Sequence, residues 1–134
     1  MQTVIEIQSN KRSELIDITD KVKNIVLNSN VKQGIVNIYV QGATAGIMIQ
    51  ENWDDSVQED VLTLLKKLIP KGVWEHDKQD GNGDSHLKSG LVGPSECIPI
   101  IEGQLGLSTW QNIFLCEFDG SRSSRSIVVT ILKS

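Results

Sequence analysis

A chain of 134 residues, 39% apolar and 22% charged, has the size and balance of one ordinary globular domain around one core. Aromatic residues make up 4% of it, so that core must rest on Ile, Val and Leu. The net charge of −4 and pI near 5.1 argue against a nucleic-acid binder, which usually carries a basic patch. No basic amphipathic run suggests a membrane surface, and no apolar run approaches the ~20 residues that span a bilayer. Met1 to Ile7 has no charged segment followed by an apolar one, so the expected location is cytoplasmic.

Thr3 to Ile7 reads as a β-branched strand and Ser9 to Ser13 as a polar turn. Leu15, Ile16 and Ile18 form a short second strand. Thr19 then has the character of a helix N-cap, with Val22, Ile25 and Val26 at helical spacing up to about Asn28. Ile35 to Val40 reads as a strand, and Ile47 to Ile49 as its partner across Gln41 to Gly46. Asn52 or Asp54 caps a helix from about Asp55 to Ile69, whose apolar stripe is Val57, Val61, Leu64, Leu65 and Leu68. Pro70 and Gly72 stop it. Residues 71 to 95 read as irregular. Cys97 to Ile101 is a strand, Gly103 to Gly106 a turn, Gln111 to Phe118 a strand, and Ile127 to Leu132 the last strand. The final two strands form a hairpin-like pair across Asp119 to Arg125. The expectation is α+β: a single domain, residues 1–134, of mostly antiparallel sheets with two helices. Cys97 and Cys116 lie in apolar runs without CxxC spacing and read as buried, reduced thiols.

The segment His76-Asp-Lys-Gln-Asp-Gly-Asn-Gly-Asp-Ser-His86 holds both histidines of the chain. Such a run cannot build core but can build a polar site. His76, Asp84 and His86 offer a mixed nitrogen and oxygen set suited to a divalent metal, set against two solvated surface histidines as the plainer reading. Asp80-Gly-Asn-Gly-Asp84 imitates the start of an EF-hand loop, but Ser85 stands where the loop needs Gly and Leu91 where it needs Glu. Gly81-Asn-Gly83 is no dinucleotide fingerprint, since no βαβ unit surrounds it. The turn Asp119-Gly-Ser-Arg-Ser-Ser-Arg125 could grip a phosphate through its arginines and hydroxyls. Gly42-Ala-Thr44 could bring backbone amides to a ligand, and Glu51 could serve as an acid, a base or a ligand. Trp110 and Gln111 could stack on and hydrogen-bond a flat heterocycle. For each, an ordinary turn, a helix-start charge or a Trp capping the core is the plainer alternative.

In order, Gly42-Ala-Thr-Ala, Gln50-Glu-Asn52, Asp60, His76-Asp77, Asn82-Gly-Asp-Ser-His86-Leu-Lys, Leu91-Val-Gly, Ile98-Pro-Ile, Gly103-Gln-Leu-Gly-Leu-Ser-Thr-Trp-Gln111 and Glu117-Phe-Asp-Gly-Ser-Arg122 resemble the YjbQ-like family, also called the secondary thiamine-phosphate synthase family. The resemblance covers roughly residues 12 to 132. It departs at Gly42, where many members have His, at Ser108 in place of Gly, and at Ser121 in place of Pro. A positive φ at Ser108 would be strained. The resemblance implies an α+β homotrimer and a weak thiamine-phosphate synthase activity that joins a thiazole phosphate to a pyrimidine pyrophosphate. In that role His86, Asp84 and Glu51 are the candidate catalytic groups, with His86 or Glu51 handling protons. Arg122, Thr44, Asn82, Trp110 and Gln111 are the candidate phosphate- and substrate-binding groups. His76 and His86 are the candidate ligands of a divalent metal, Mg or Zn. The alternative is a non-enzymatic module that binds a phosphorylated metabolite or a divalent metal.

Overall fold

Alternation of buried and exposed side chains decides the layers of this protein. In the computed structural model, which describes residues 1–134, the elements are β1 (Gln2–Ile7), β2 (Glu14–Asp17), α1 (Thr19–Ser29), β3 (Gly34–Val40), β4 (Ala45–Gln50), α2 (Ser56–Leu68), a short 3-10 helix (Glu75–Lys78), α3 (Gly83–Val92), β5 (Ser95–Ile101), β6 (Gln104–Leu105), β7 (Asn112–Glu117) and β8 (Arg125–Lys133). They build two antiparallel sheets. The larger has the order β1-β8-β3-β5-β6 and the smaller β2-β7-β4.

Strand β8 alternates without a break from Arg125 to Ile131, and β3 buries Val36, Ile38 and Val40. These face inward with Ile98 and Ile100 of β5 and meet Ala45, Ile47, Ile113 and Leu115 from the smaller sheet. Val22 and Val26 of α1 join the same 16-residue cluster. Each such side chain contributes about 1.5–3 kcal/mol on full burial, so this inter-sheet layer is the main apolar stabilisation. Strand β7 is buried on both faces, because α2 and α3 cover its other side. There Cys116 and Phe118 pack with Leu65, and Leu15, Met48, Val61 and Val92 join them. The outer face of the larger sheet stays open, with Val4, Ile35, Tyr39, Ile101 and Leu132 exposed. No helix is long and apolar enough to cross a membrane.

The α+β architecture holds, with three α-helices in place of the two expected. The third, α3, lies within the segment read as irregular. It escapes a periodicity reading because it is inside out. Asp84, Ser85, Lys88 and Ser89 are buried, while Leu87 and Leu91 are 44% and 63% exposed. Two expected pairings also fail. Strand β4 pairs with β7 rather than β3, and β8 pairs with β1 and β3 rather than β7, so Asp119 to Ser124 crosses between sheets. The α2 stripe is only partly used, with Leu64 and Leu68 exposed. Thr19 lies inside α1, and Asp17 accepts its N–H at 2.8 Å. Asp54 accepts the Ser56 N–H at 2.8 Å at the start of α2. Cys116 is buried as expected, and burial pushes its thiol up to about 12. Cys97 instead points outward from the open sheet face, and both thiols are free.

Candidate functional site

Helix α3 is anchored through its polar side. The Ser85 hydroxyl donates to the Phe118 carbonyl at 2.5 Å, and the Ser89 hydroxyl donates to the Ala45 carbonyl at 2.6 Å. Asp84 is fully buried and accepts from Arg12 at 3.0 and 3.2 Å and from Lys88 at 3.0 Å. Burial pushes its carboxyl up, but the hydrogen bonds from Arg12 and Lys88 outweigh that and hold it below the ordinary range. Asp84 is thus a fixed anion that orients two cations, rather than a free acid. In front of α3, the Asp77 carboxylate accepts the Trp74 N–H at 2.9 Å and the Gly83 N–H at 2.8 Å. These two backbone hydrogen bonds lower its pKa. A Cβ at Gly83 would come within 2.8 Å of the Trp74 side chain, so the close approach of the loop to the helix needs glycine.

This clamp brings the two histidines together. Their rings lie 4.7 Å apart, centroid to centroid, at an interplanar angle of 79°. His76 Nε2 is 3.4 Å from Asp80. Two imidazoles and one carboxylate are part of a zinc ligand set. Yet no three His, Cys, Asp or Glu side chains are arranged to hold a metal ion.

Beside them, Asn82 donates to Asp119 Oδ2 at 2.9 Å. Arg122 donates to the same oxygen at 3.1 Å and to the Asp119 carbonyl at 3.0 Å. The Asn82 Oδ1 is buried with no donor facing it. Asp119 thus sets the direction of the Arg122 fork, which stays exposed.

A second polar cluster sits behind this one. Arg125 donates to both Glu117 oxygens at 3.0 and 2.5 Å and to the Thr44 hydroxyl at 2.8 Å. Ser9 donates to Glu117 at 2.7 Å. Burial raises the Glu117 pKa, but the hydrogen bonds from Arg125, Ser9 and the Asp119 amide more than reverse it. The Thr44 side chain is therefore committed to Arg125 and buried. A Cβ at Gly42 would lie 2.8 Å from Arg125 Nη1, so a histidine there would begin against this ion pair. Ser108 is not among the residues with positive φ, and the strain foreseen for it does not arise.

Glu51, Trp110 and Gln111 lie elsewhere. Gln50 pairs with Asn112, whereas Ala45 pairs with Glu117, so these residues mark opposite ends of the smaller sheet. At about 3.3 Å per residue, Glu51 is roughly 20 Å from Thr44. Trp110 packs edge-on against Trp53 at 5.2 Å, and Gln111 accepts the Ser108 N–H at 3.0 Å. Within one chain the candidate residues form two groups, not one pocket. Sequence reasoning passed over Arg12, Lys88 and Glu117 as site residues; of the two turn arginines read as a phosphate grip, Arg125 is instead buried against Glu117 and Thr44, and Arg122 alone is exposed. The Asp84 to Lys88 spacing of one helical turn was the available signal for the first ion pair.

A fold of two antiparallel sheets with α3 and its histidine loop on the smaller one is that of a compact α+β protein. The UPF0047 YjbQ-like family model matches residues 3–134, and the chain belongs to this family. It is 50% identical over 117 residues to a UPF0047 protein of Methanocaldococcus jannaschii, covering 87% of this chain and 84% of that one. It is 39% identical over 126 residues to the UPF0047 protein YugU of Bacillus subtilis, covering 92% and 93%. Among solved structures, a YbjQ-like protein of unknown function from Sulfolobus solfataricus superposes with a TM-score of 0.96 at 40% identity, over 100% of this chain and 97% of that one.

Proposed function

We propose that the shelf formed by His76, His86, Asn82 and Arg122 binds the phosphate end of a small metabolite. The reaction proposed for it is the one the family resemblance implies, the joining of a thiazole phosphate to a pyrimidine pyrophosphate. The observation that carries the reading is the Arg122 fork, aimed by the same Asp119 oxygen that holds Asn82, whose buried Oδ1 is unpartnered, on the loop and helix start that bring the two imidazoles edge to face. In the transfer, a carbon–nitrogen bond to the thiazole forms as the carbon–oxygen bond to pyrophosphate breaks. Negative charge grows on the leaving oxygen, where Arg122 is suited to balance it and His86 to donate a proton. His86→Ala is expected to lower thiamine phosphate formation by about 10²-fold or more, measured from the two precursors. Full turnover in that variant removes this reading. Precursor binding with no turnover in the wild type favours the non-enzymatic module.

A homotrimer belongs to the same proposal. The open face of the larger sheet lines up Leu132, Ile35 and Pro99 in one cross-strand row and Val4, Val128 and Tyr39 in another. Two exposed apolar rows, separated by the polar row of Gln2, Thr130 and Asn37, favour a covering partner. Assembly would let Glu51, Trp110 and Gln111 of one copy complete the shelf of a neighbour. Light scattering at micromolar concentration is expected to give three times the 14.8 kDa chain mass. A monomer overturns the assembly and leaves the shelf to stand alone.

A further inference from the structure

We infer that a second anion site, separate from the histidine shelf, lies in the cleft between α2 and α3 and takes a small phosphorylated molecule with an apolar body. The cavity there has a volume of about 600 Å³, and its charged lining is Arg12, Lys66, Lys71 and Lys88 with Asp84 as the one carboxylate. None of His76, His86, Asn82 and Arg122 lines it.

Charge balance is the argument. Four cations and one carboxylate line the concavity, on a chain whose net charge is −4; Asp77 and Asp119 act on Arg12 from outside the lining, and Lys66 and Lys71 carry the unbalanced charge. Asp84 is already shared by Arg12 and Lys88, and the Lys88 side chain is only 7% exposed. Lys66 and Lys71 make no salt bridge to any residue. A helix C-terminus attracts cations, and that would account for Lys66 in the last turn of α2. It does not account for Lys71, which lies beyond the helix. Like charges converging in a cleft raise the local concentration of anions. Leu62, Leu65 and Phe118 supply the apolar part of the same wall. The volume lies within the range of ordinary metabolite sites, and a single small cleft does not suit an extended polyanion such as nucleic acid.

The test is a titration of the whole protein with inorganic pyrophosphate, followed by backbone amide NMR shifts. Saturable shifts are expected at Ser13, Lys66, Lys71 and Lys88, and they should persist in His86→Ala. The double variant K66Q/K71Q changes exposed side chains, and its spectrum reports whether the fold is intact. It should bind at the cleft at least about tenfold more weakly, the loss of one charge-assisted contact. Shifts confined to residues 76–86 and 119–122, or unchanged cleft affinity in K66Q/K71Q, overturn the proposal. The histidine shelf can fail its own turnover assay without altering either result.

Discussion

The two ends of the smaller sheet use polar residues in opposite ways. At the end where β7 runs into Phe118 and Asp119, charge is buried and paired: Glu117 with Arg125, Asp84 with Arg12 and Lys88. At the other end, Trp53 and Trp110 are 74% and 53% exposed and lean on each other, and Asn52 reaches Asp17 at 2.6 Å on the surface. Desolvated charges tolerate only well-saturated arrangements, so the first end is fixed to within hydrogen-bond geometry. Exposed contacts contribute little and hold nothing firmly. The first end therefore holds its side chains in place within the chain, while the second is held only by exposed contacts.

The largest effect that would break this contrast is loss of Arg125. Arg125→Met strands the Glu117 carboxylate in the interior and is expected to lower unfolding free energy by about 3–5 kcal/mol, read from urea denaturation. A loss below about 1 kcal/mol would mean that water reaches Glu117 and that this end is no more rigid than the other. Acid sharpens the same point. Glu117 and Asp84 both have folded-state pKa values below their ordinary ones, so the unfolded chain binds protons more readily. Their contribution is complete above about pH 5 and is lost as pH falls through the ordinary carboxylate range toward the lowered folded values. Unfolding monitored between about pH 5 and 2 should show this loss, and Asp84→Asn should flatten it.

The rigid end is also the part least legible in the sequence. Strand positions and α2 follow from apolar alternation and helical spacing, and the core could be named from Val36, Ile38, Ile127 and Val129. Pairing could not be read so directly, because alternation says which face a residue takes and not which strand lies beside it. One sign was present. Ile113 to Cys116 is apolar without a break, as for a strand covered on both faces, whereas β8 alternates. Helix α3 was missed because its inward residues are Asp, Ser and Lys, its outward ones include leucines, and Gly83 and Gly90 lower its propensity. The site followed the same pattern. His76 and His86 were found by composition, and their meeting is a fact of the Asp77 clamp. Arg12, seventy-two residues from Asp84, gave no local cue at all.

The smallest expected effect concerns the exposed end. Trp53 and Trp110 meet edge to face, a geometry that contributes about 0.5–1.5 kcal/mol beyond burial, and their exposure puts the cost of Trp110→Ala near the lower figure. If the two ends were one pocket within a single chain, this substitution would lower thiamine phosphate formation at every protein concentration, as His86→Ala does. If assembly brings the exposed end of one copy to the shelf of another, Trp110→Ala should leave the isolated chain nearly as stable. It should lower turnover and trimer content together as the protein is diluted. A Trp110→Ala protein that stays fully trimeric and fully active would leave the tryptophan pair with no part in the site, and would confine the function to the buried-charge end.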